Sequence, residues 1–199
     1  MIRILLLSRS VHWGLLTAVA MWCLAVLVGR QTVEIKLSFP PTKAVVVELC
    51  VVVTATLLAI FTRPRFWAWD RVARGIRARL VAGTVAALVI AMAVLCVPVV
   101  VPWLPGNAAW AWVLANALVL SATVLLLAPL LTPLPAGAVT TVLWVGSAIL
   151  TNVAPDVWLP LANYRDQDGH WLVAALLVVA AVGVHVGTCG VTAWAYRQR

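Results

Sequence analysis

Acidic side chains are scarce in this 199-residue chain, six Asp and Glu against fourteen Lys and Arg, and so are polar stretches of any length. The lack of a long polar stretch excludes a separate water-soluble core, because nothing is available to cover one. The four cysteines, Cys23, Cys50, Cys96 and Cys189, show no paired spacing. That excludes a zinc ribbon or finger and leaves them as small buried hydrophobes. Of the three histidines, His185 falls near mid-span while His12 and His170 fall at opposite membrane boundaries, so no pair from facing spans is placed to clamp a haem. A Walker motif, His-Glu-x-x-His, a Gly-x-Ser-x-Gly turn and paired aspartates for metal-dependent phosphotransfer are all missing. The sequence therefore predicts no enzyme, no cofactor and no metal.

What remains is apolar. Hydrophobic residues make up 64% of the chain and charged ones 10%, and the mean hydropathy is +1.07. No soluble domain of this size carries that composition, so lipid has to be the solvent. The net charge of +8 does not imply nucleic acid, since the positive residues flank apolar runs rather than gathering on one face. They fit the bias of cytoplasmic loops towards Lys and Arg and the attraction of such loops to anionic headgroups.

A span needs about 20 apolar residues. Six segments qualify: Val11 to Val28, Ala44 to Thr62, Leu80 to Val101, Ala108 to Ala128, Ala136 to Thr151 and Trp171 to Trp194. The first is expected to be a span and not a removable signal, since no exported polar domain follows it. The fifth, bounded by Pro129, Pro133, Pro135 and Asn152, is expected to cross obliquely or to be broken. With the N-terminus inside, the inner connections hold Arg3, Arg9, Arg63, Arg65, Arg71, Arg74, Arg77, Arg79, Arg197 and Arg199. The outer ones hold only Arg30, Lys36, Lys43 and Arg165. The expected fold is thus all-α, a polytopic membrane helix bundle of about six transmembrane helices with both termini in the cytoplasm. Most of the eleven tryptophans fall at the expected boundaries, where an indole ring is dehydrated while its N–H stays wet; Trp22 and Trp144 alone fall at mid-span.

Four features stand out against this frame. Residues 65–79 form the long inner connection, with Trp69, Val72, Ala73, Ile76 and Leu80 at helical spacing. Asp70, Arg71, Arg74 and Arg77 lie opposite them. This amphipathic helix, with Arg65 and Arg79 at its ends, is expected to run into span three, either as an interfacial anchor or as a docking helix for a cytoplasmic partner. Glu48 is the sole formally charged residue inside a span, about one turn from its outer boundary. It has either to pair, meet water or take a proton, or to snorkel to the interface. His185 is placed near the middle of span six with Thr188 and Thr192 on its face. Gly183, Gly187 and Gly190 lie largely opposite, as a small-residue packing surface. Asn116, Thr123, Thr140, Ser147 and Thr151 make weaker polar stripes, whose hydroxyls are expected to satisfy their own helix carbonyls. Residues 155–164 are expected to form a short outer interfacial helix. The run Asp166-Gln167-Asp168-Gly169 after it opens like a calcium loop but lacks the later Glu.

The layout of six spans with both ends inside, a basic amphipathic helix over Arg65 to Arg79 between spans two and three, and a short amphipathic outer segment over Pro155 to Tyr164 resembles the membrane subunit of a type-two ABC exporter. That class includes bacterial antibiotic and lantibiotic export and self-immunity permeases. The resemblance implies a permease of the bacterial cytoplasmic membrane, moving an amphipathic or hydrophobic compound. It also implies a cytoplasmic ATPase that docks on the Arg65 to Arg79 helix and a second membrane subunit. The residues also allow a non-transporting accessory or immunity protein in a larger membrane complex. A further reading is a proton-coupled carrier or intramembrane enzyme using Glu48 and His185.

Overall fold

The computed structural model describes residues 11–29, 31–35, 42–63, 76–103, 110–154, 161 and 170–191. Long runs of Ala, Val and Leu with few interior polar residues are free to satisfy every backbone group within the segment, and they do so as helices. These are α1 (Val11–Val28), α2 (Val46–Phe61), α3 (Ile76–Val94), α4 (Cys96–Val100), α5 (Trp110–Leu131), α6 (Pro133–Val153) and α7 (Trp171–Thr188), with one 3-10 turn at Val101–Trp103. Among the described residues, four helical stretches are long and apolar enough to cross a membrane: Ala78–Trp103, Ala111–Leu131, Pro133–Thr151 and Trp171–Thr188. Two shorter apolar helices, His12–Val28 and Val46–Phe61, accompany them. This is the make-up of an α-helical membrane protein.

Between α1 and α2 the chain forms an antiparallel hairpin that the hydropathy pattern did not reveal, β1 (Thr32–Ile35) with β2 (Thr42–Val45). Its register sets Thr32 opposite Val45 and Glu34 opposite Lys43. The hairpin delays the start of α2 to Val46, two residues after the expected Ala44, because residues 42–45 spend their backbone groups on the neighbouring strand.

Helix α5 is the axis of the bundle, packed against α2, α3, α6 and α7, while α1 lies outside against α2 and α4. One apolar cluster gathers Val47, Val51, Val97, Val113 and Leu120 near the hairpin; a second gathers Leu58, Val85, Ile90, Leu125 and Ala181 towards the other end. The break between α3 and α4 at Leu95 follows from Pro98, whose ring crowds the Val94 carbonyl and offers it no N–H. Close by, Trp22 Nε1 donates to the Met92 carbonyl at 2.9 Å.

Two spans differ from the sequence expectation. The fifth span is neither short nor broken: α6 runs unbroken from Pro133 to Val153. Its prolines, Pro133 and Pro135, sit in the first turn, where a missing N–H leaves no helical bond unmade. The interruption lies instead at Thr132, which takes φ 74° between α5 and α6. The sixth span stops at Thr188, because Cys189 (φ 53°) and Gly190 (φ 71°) turn left-handed. The N–H groups of both close onto the His185 carbonyl, a left-handed helix stop of the kind glycine favours.

Candidate functional site

The most unusual group in the bundle is Glu48. It lies in the first turn of α2, where a helix N-terminus favours negative charge. Val51, Val52 and Ala55 follow it on the same buried face. The side chain has no exposed surface at all. Oε1 accepts a hydrogen bond from Asn116 Nδ2 of α5 at 2.9 Å, and Oε2 accepts one from Trp144 Nε1 of α6 at 2.6 Å. One carboxyl thus ties three helices together, each of its oxygens taken by a neutral N–H. No Lys, Arg or His among the described residues pairs with it. Snorkelling, one of the two roles open to Glu48 in the sequence, is overturned: a side chain bonded inward to two other helices does not reach the interface.

The partners are delivered by ordinary helical periodicity. On α6 the buried positions are Ala136, Thr140, Trp144, Ser147 and Ala148, a stripe with a repeat of three to four residues that carries the indole inward. Asn116 lies on the most enclosed helix, between the buried Ala115 and Ala117. The remaining polar stripes do no such bridging. Thr54, Thr123, Thr140, Thr151 and Thr188 each donate to the carbonyl four residues back, as Ser121 does, and Ser147 turns to the Trp144 carbonyl. The hydroxyls of α5 and α6 thus donate to carbonyls of their own helices, as expected from the sequence.

The other sequence-predicted residues are scattered. Arg65, Trp69, Asp70, Arg71 and Arg74 of the amphipathic segment lie outside the described residues, as does the interfacial stretch 155–164 apart from Leu161. Arg77 and Arg79 fall in the first turn of α3, which begins at Ile76 and continues to Val94; Arg79 is exposed. His185 is not at mid-helix but in the last turn of α7, since the helix stops at Thr188, and its Nδ1 lies 3.0 Å from the Ala181 carbonyl. It borders a cleft with Thr62, Arg63, Pro129, Pro133 and Gly190. Glu48 and Thr62 are at opposite ends of α2, about 21 Å apart at 1.5 Å per residue. Glu48 and His185 are therefore not brought together, and a direct relay between them is not formed.

Gly183 and Gly187 do not pack against the described residues: both are exposed, and a Cβ built on either meets none of them within 4 Å. The close approaches are at glycines the sequence reading passed over. A Cβ on Gly83 would lie 2.6 Å from Val186 Cγ2, and one on Gly137 would collide with Thr56. Cys50 and Cys96 are buried as expected, whereas Cys23 is exposed and Cys189 half-buried. No group of three or more His, Cys, Asp or Glu side chains suited to a metal ion occurs among the described residues.

Trp144 is the member of this candidate site that sequence reasoning missed, and its signal was present. An indole at mid-span must find an acceptor, and Glu48 is the one carboxylate inside a span. No protein-family model, curated protein or solved structure matches the chain.

Proposed function

We propose that this chain is the membrane-embedded permease subunit of an ATP-driven exporter in the bacterial cytoplasmic membrane. It would move an amphipathic or hydrophobic compound together with a cytoplasmic ATPase and a second membrane subunit. In this reading α1 and α2 are spans too, giving about six with both termini inside, and the Arg65 to Arg79 segment receives the ATPase. The observation that carries the proposal is the contrast between a closed interior and an open flank. The hydroxyls of the bundle are turned onto their own helices, and the central helix α5 is enclosed by four others. Helix α7, by contrast, is buried only at Ala174 and Ala181 and leaves Gly183 and Gly187 uncovered. With the described hydroxyls committed to their own helices, the route for a substrate is placed between this chain and another subunit.

The same closed interior favours a second reading, a non-transporting accessory or immunity subunit, and one experiment separates the two. Replacing Arg71, Arg74 and Arg77 by Lys keeps the charge but removes the planar guanidinium that bidentate contacts need. For a permease subunit, the triple variant inserts normally yet loses co-purification of the ATPase and partner-dependent ATP turnover. Full retention of coupling would leave residues 65–79 as a plain anchor and remove the exporter reading.

A further inference from the structure

We propose that Glu48 is a proton-binding site in which the proton sits on Oε1 and the Asn116 amide turns over to receive it. The reasoning is an inventory of donors and acceptors. An indole nitrogen only donates, so Oε2, held by Trp144 Nε1 at 2.6 Å, stays an acceptor for as long as Trp144 is in place. Oε1 faces a different kind of partner. A primary amide is a donor at its nitrogen and an acceptor at its oxygen, in nearly the same shape. With the carboxyl ionised, Asn116 Nδ2–H donates to Oε1, the arrangement present in the structure. With Oε1 protonated, a half-turn of the amide brings Oδ1 round to accept the new O–H. One O–H bond forms on Oε1 as one O–H bond of a hydronium ion breaks and leaves water behind, and within the site one hydrogen bond is exchanged for another. The Asn116 side chain makes no second hydrogen bond to a described residue, so the turn sacrifices nothing else.

The surroundings leave the proton few competitors. An ionisable group within hydrocarbon has to pair, meet water or take a proton, and Glu48 is fully enclosed with neutral partners only. Helices α5 and α6, which supply those partners, carry no titratable side chain anywhere along their lengths. On α2 itself the other titratable group is Cys50, and α4 contributes Cys96, which contacts Thr54 Oγ1 at 3.6 Å. Helix α1 carries His12 and Cys23, both exposed, and α3 carries Arg77 and Arg79 at the end remote from the hairpin. The hairpin beside the site carries Glu34 and Lys43, which its register places opposite each other. A proton is also the one ligand that needs no cavity, which suits a side chain with no exposed surface.

Infrared difference spectroscopy of the purified full chain in lipid nanodiscs, titrated with pH, tests this directly and without any partner subunit. Its outcome is therefore separate from that of the exporter reading. A carboxylic-acid C=O band should grow as pH falls and be lost in Glu48→Gln. That variant is expected to fold, because its amide mimics the acid form: the oxygen accepts Trp144 N–H and the nitrogen donates to Asn116 Oδ1. In Asn116→Leu the band should persist but move to the position of a carboxyl whose O–H is unbonded. No Glu48-dependent band at any pH where the protein is folded would overturn the proposal. So would a titration that shifts with sodium or potassium at constant ionic strength, which would mark a cation site. A band unmoved by Asn116→Leu would overturn the placement of the proton beside Asn116.

Discussion

The Trp144 indole and the Glu48 carboxyl each depend on the other for a partner that hydrocarbon cannot supply. Trp144→Phe keeps an aromatic ring in the buried slot but removes the N–H, leaving Oε2 without a donor, and its smaller ring leaves part of the slot empty. Hydrogen bonds to charged groups contribute about 1.5–3 kcal/mol, so a loss of at least that order is expected in unfolding titrations of the reconstituted protein. Glu48→Leu should cost more than Glu48→Gln in the same titration, since leucine abandons both partners at once, whereas glutamine keeps the Trp144 N–H and bonds Asn116 through its carbonyl oxygen instead of its N–H. Equal stability of the two variants would show that the three-helix junction contributes nothing. Half of this site is legible in the sequence: Glu48 is the charged residue inside a span, Asn116 lies in a polar stripe, and Trp144 is one of two tryptophans away from the boundaries. Their convergence is not legible, because the contacts bridge 68 and 96 residues, and local periodicity says which face is buried but not which helix it meets.

Helix boundaries depend on single residues, and here the sequence signals were mixed. Apolar runs located each helix to within a few residues, yet hydropathy is blind to the backbone devices that stop a helix, such as the left-handed pair Cys189 and Gly190. Glycine spacing misled for a similar reason. The pattern at Gly183 and Gly187 is a small-residue motif by spacing, but its face points away from the bundle, while Gly83 and Gly137 carry the tight contacts with α7 and α2. Gly137→Ala should therefore destabilise the isolated chain by about 1–3 kcal/mol, the usual cost of overfilling a packed site. The new methyl collides with Thr56, whose hydroxyl is already committed to the Val52 carbonyl at 2.7 Å. Gly183→Ala should leave the stability of the isolated chain unchanged in the same assay. Gly187→Leu is expected to be tolerated there too and to show its effect only on assembly with other subunits.

Across the whole molecule, the end of α2 nearest Glu48 is joined to the hairpin and its other end reaches the cleft of Arg63 and His185. In the proposed topology the ten-to-four distribution of Lys and Arg puts the basic end inside. Single-cysteine variants in a background free of the four native cysteines check this: a membrane-impermeant thiol reagent added to intact cells should modify Lys36→Cys and Asp168→Cys but spare Gly75→Cys. Modification of position 75 from outside would reverse the topology. The reach of the Glu48 bonds also bears on biogenesis. Ribosomes add about 5–20 residues per second, so the 96 residues between Glu48 and Trp144 correspond to roughly 5–20 s of translation. Asn116 follows Glu48 by only 68 residues, so the carboxyl of the nascent α2 has neither donor at first and only Asn116 until α6 is made, and water or the translocon has to satisfy the remainder. The three-helix junction cannot close before α6 emerges, and the early half of the chain carries an unfinished polar site until its later half arrives.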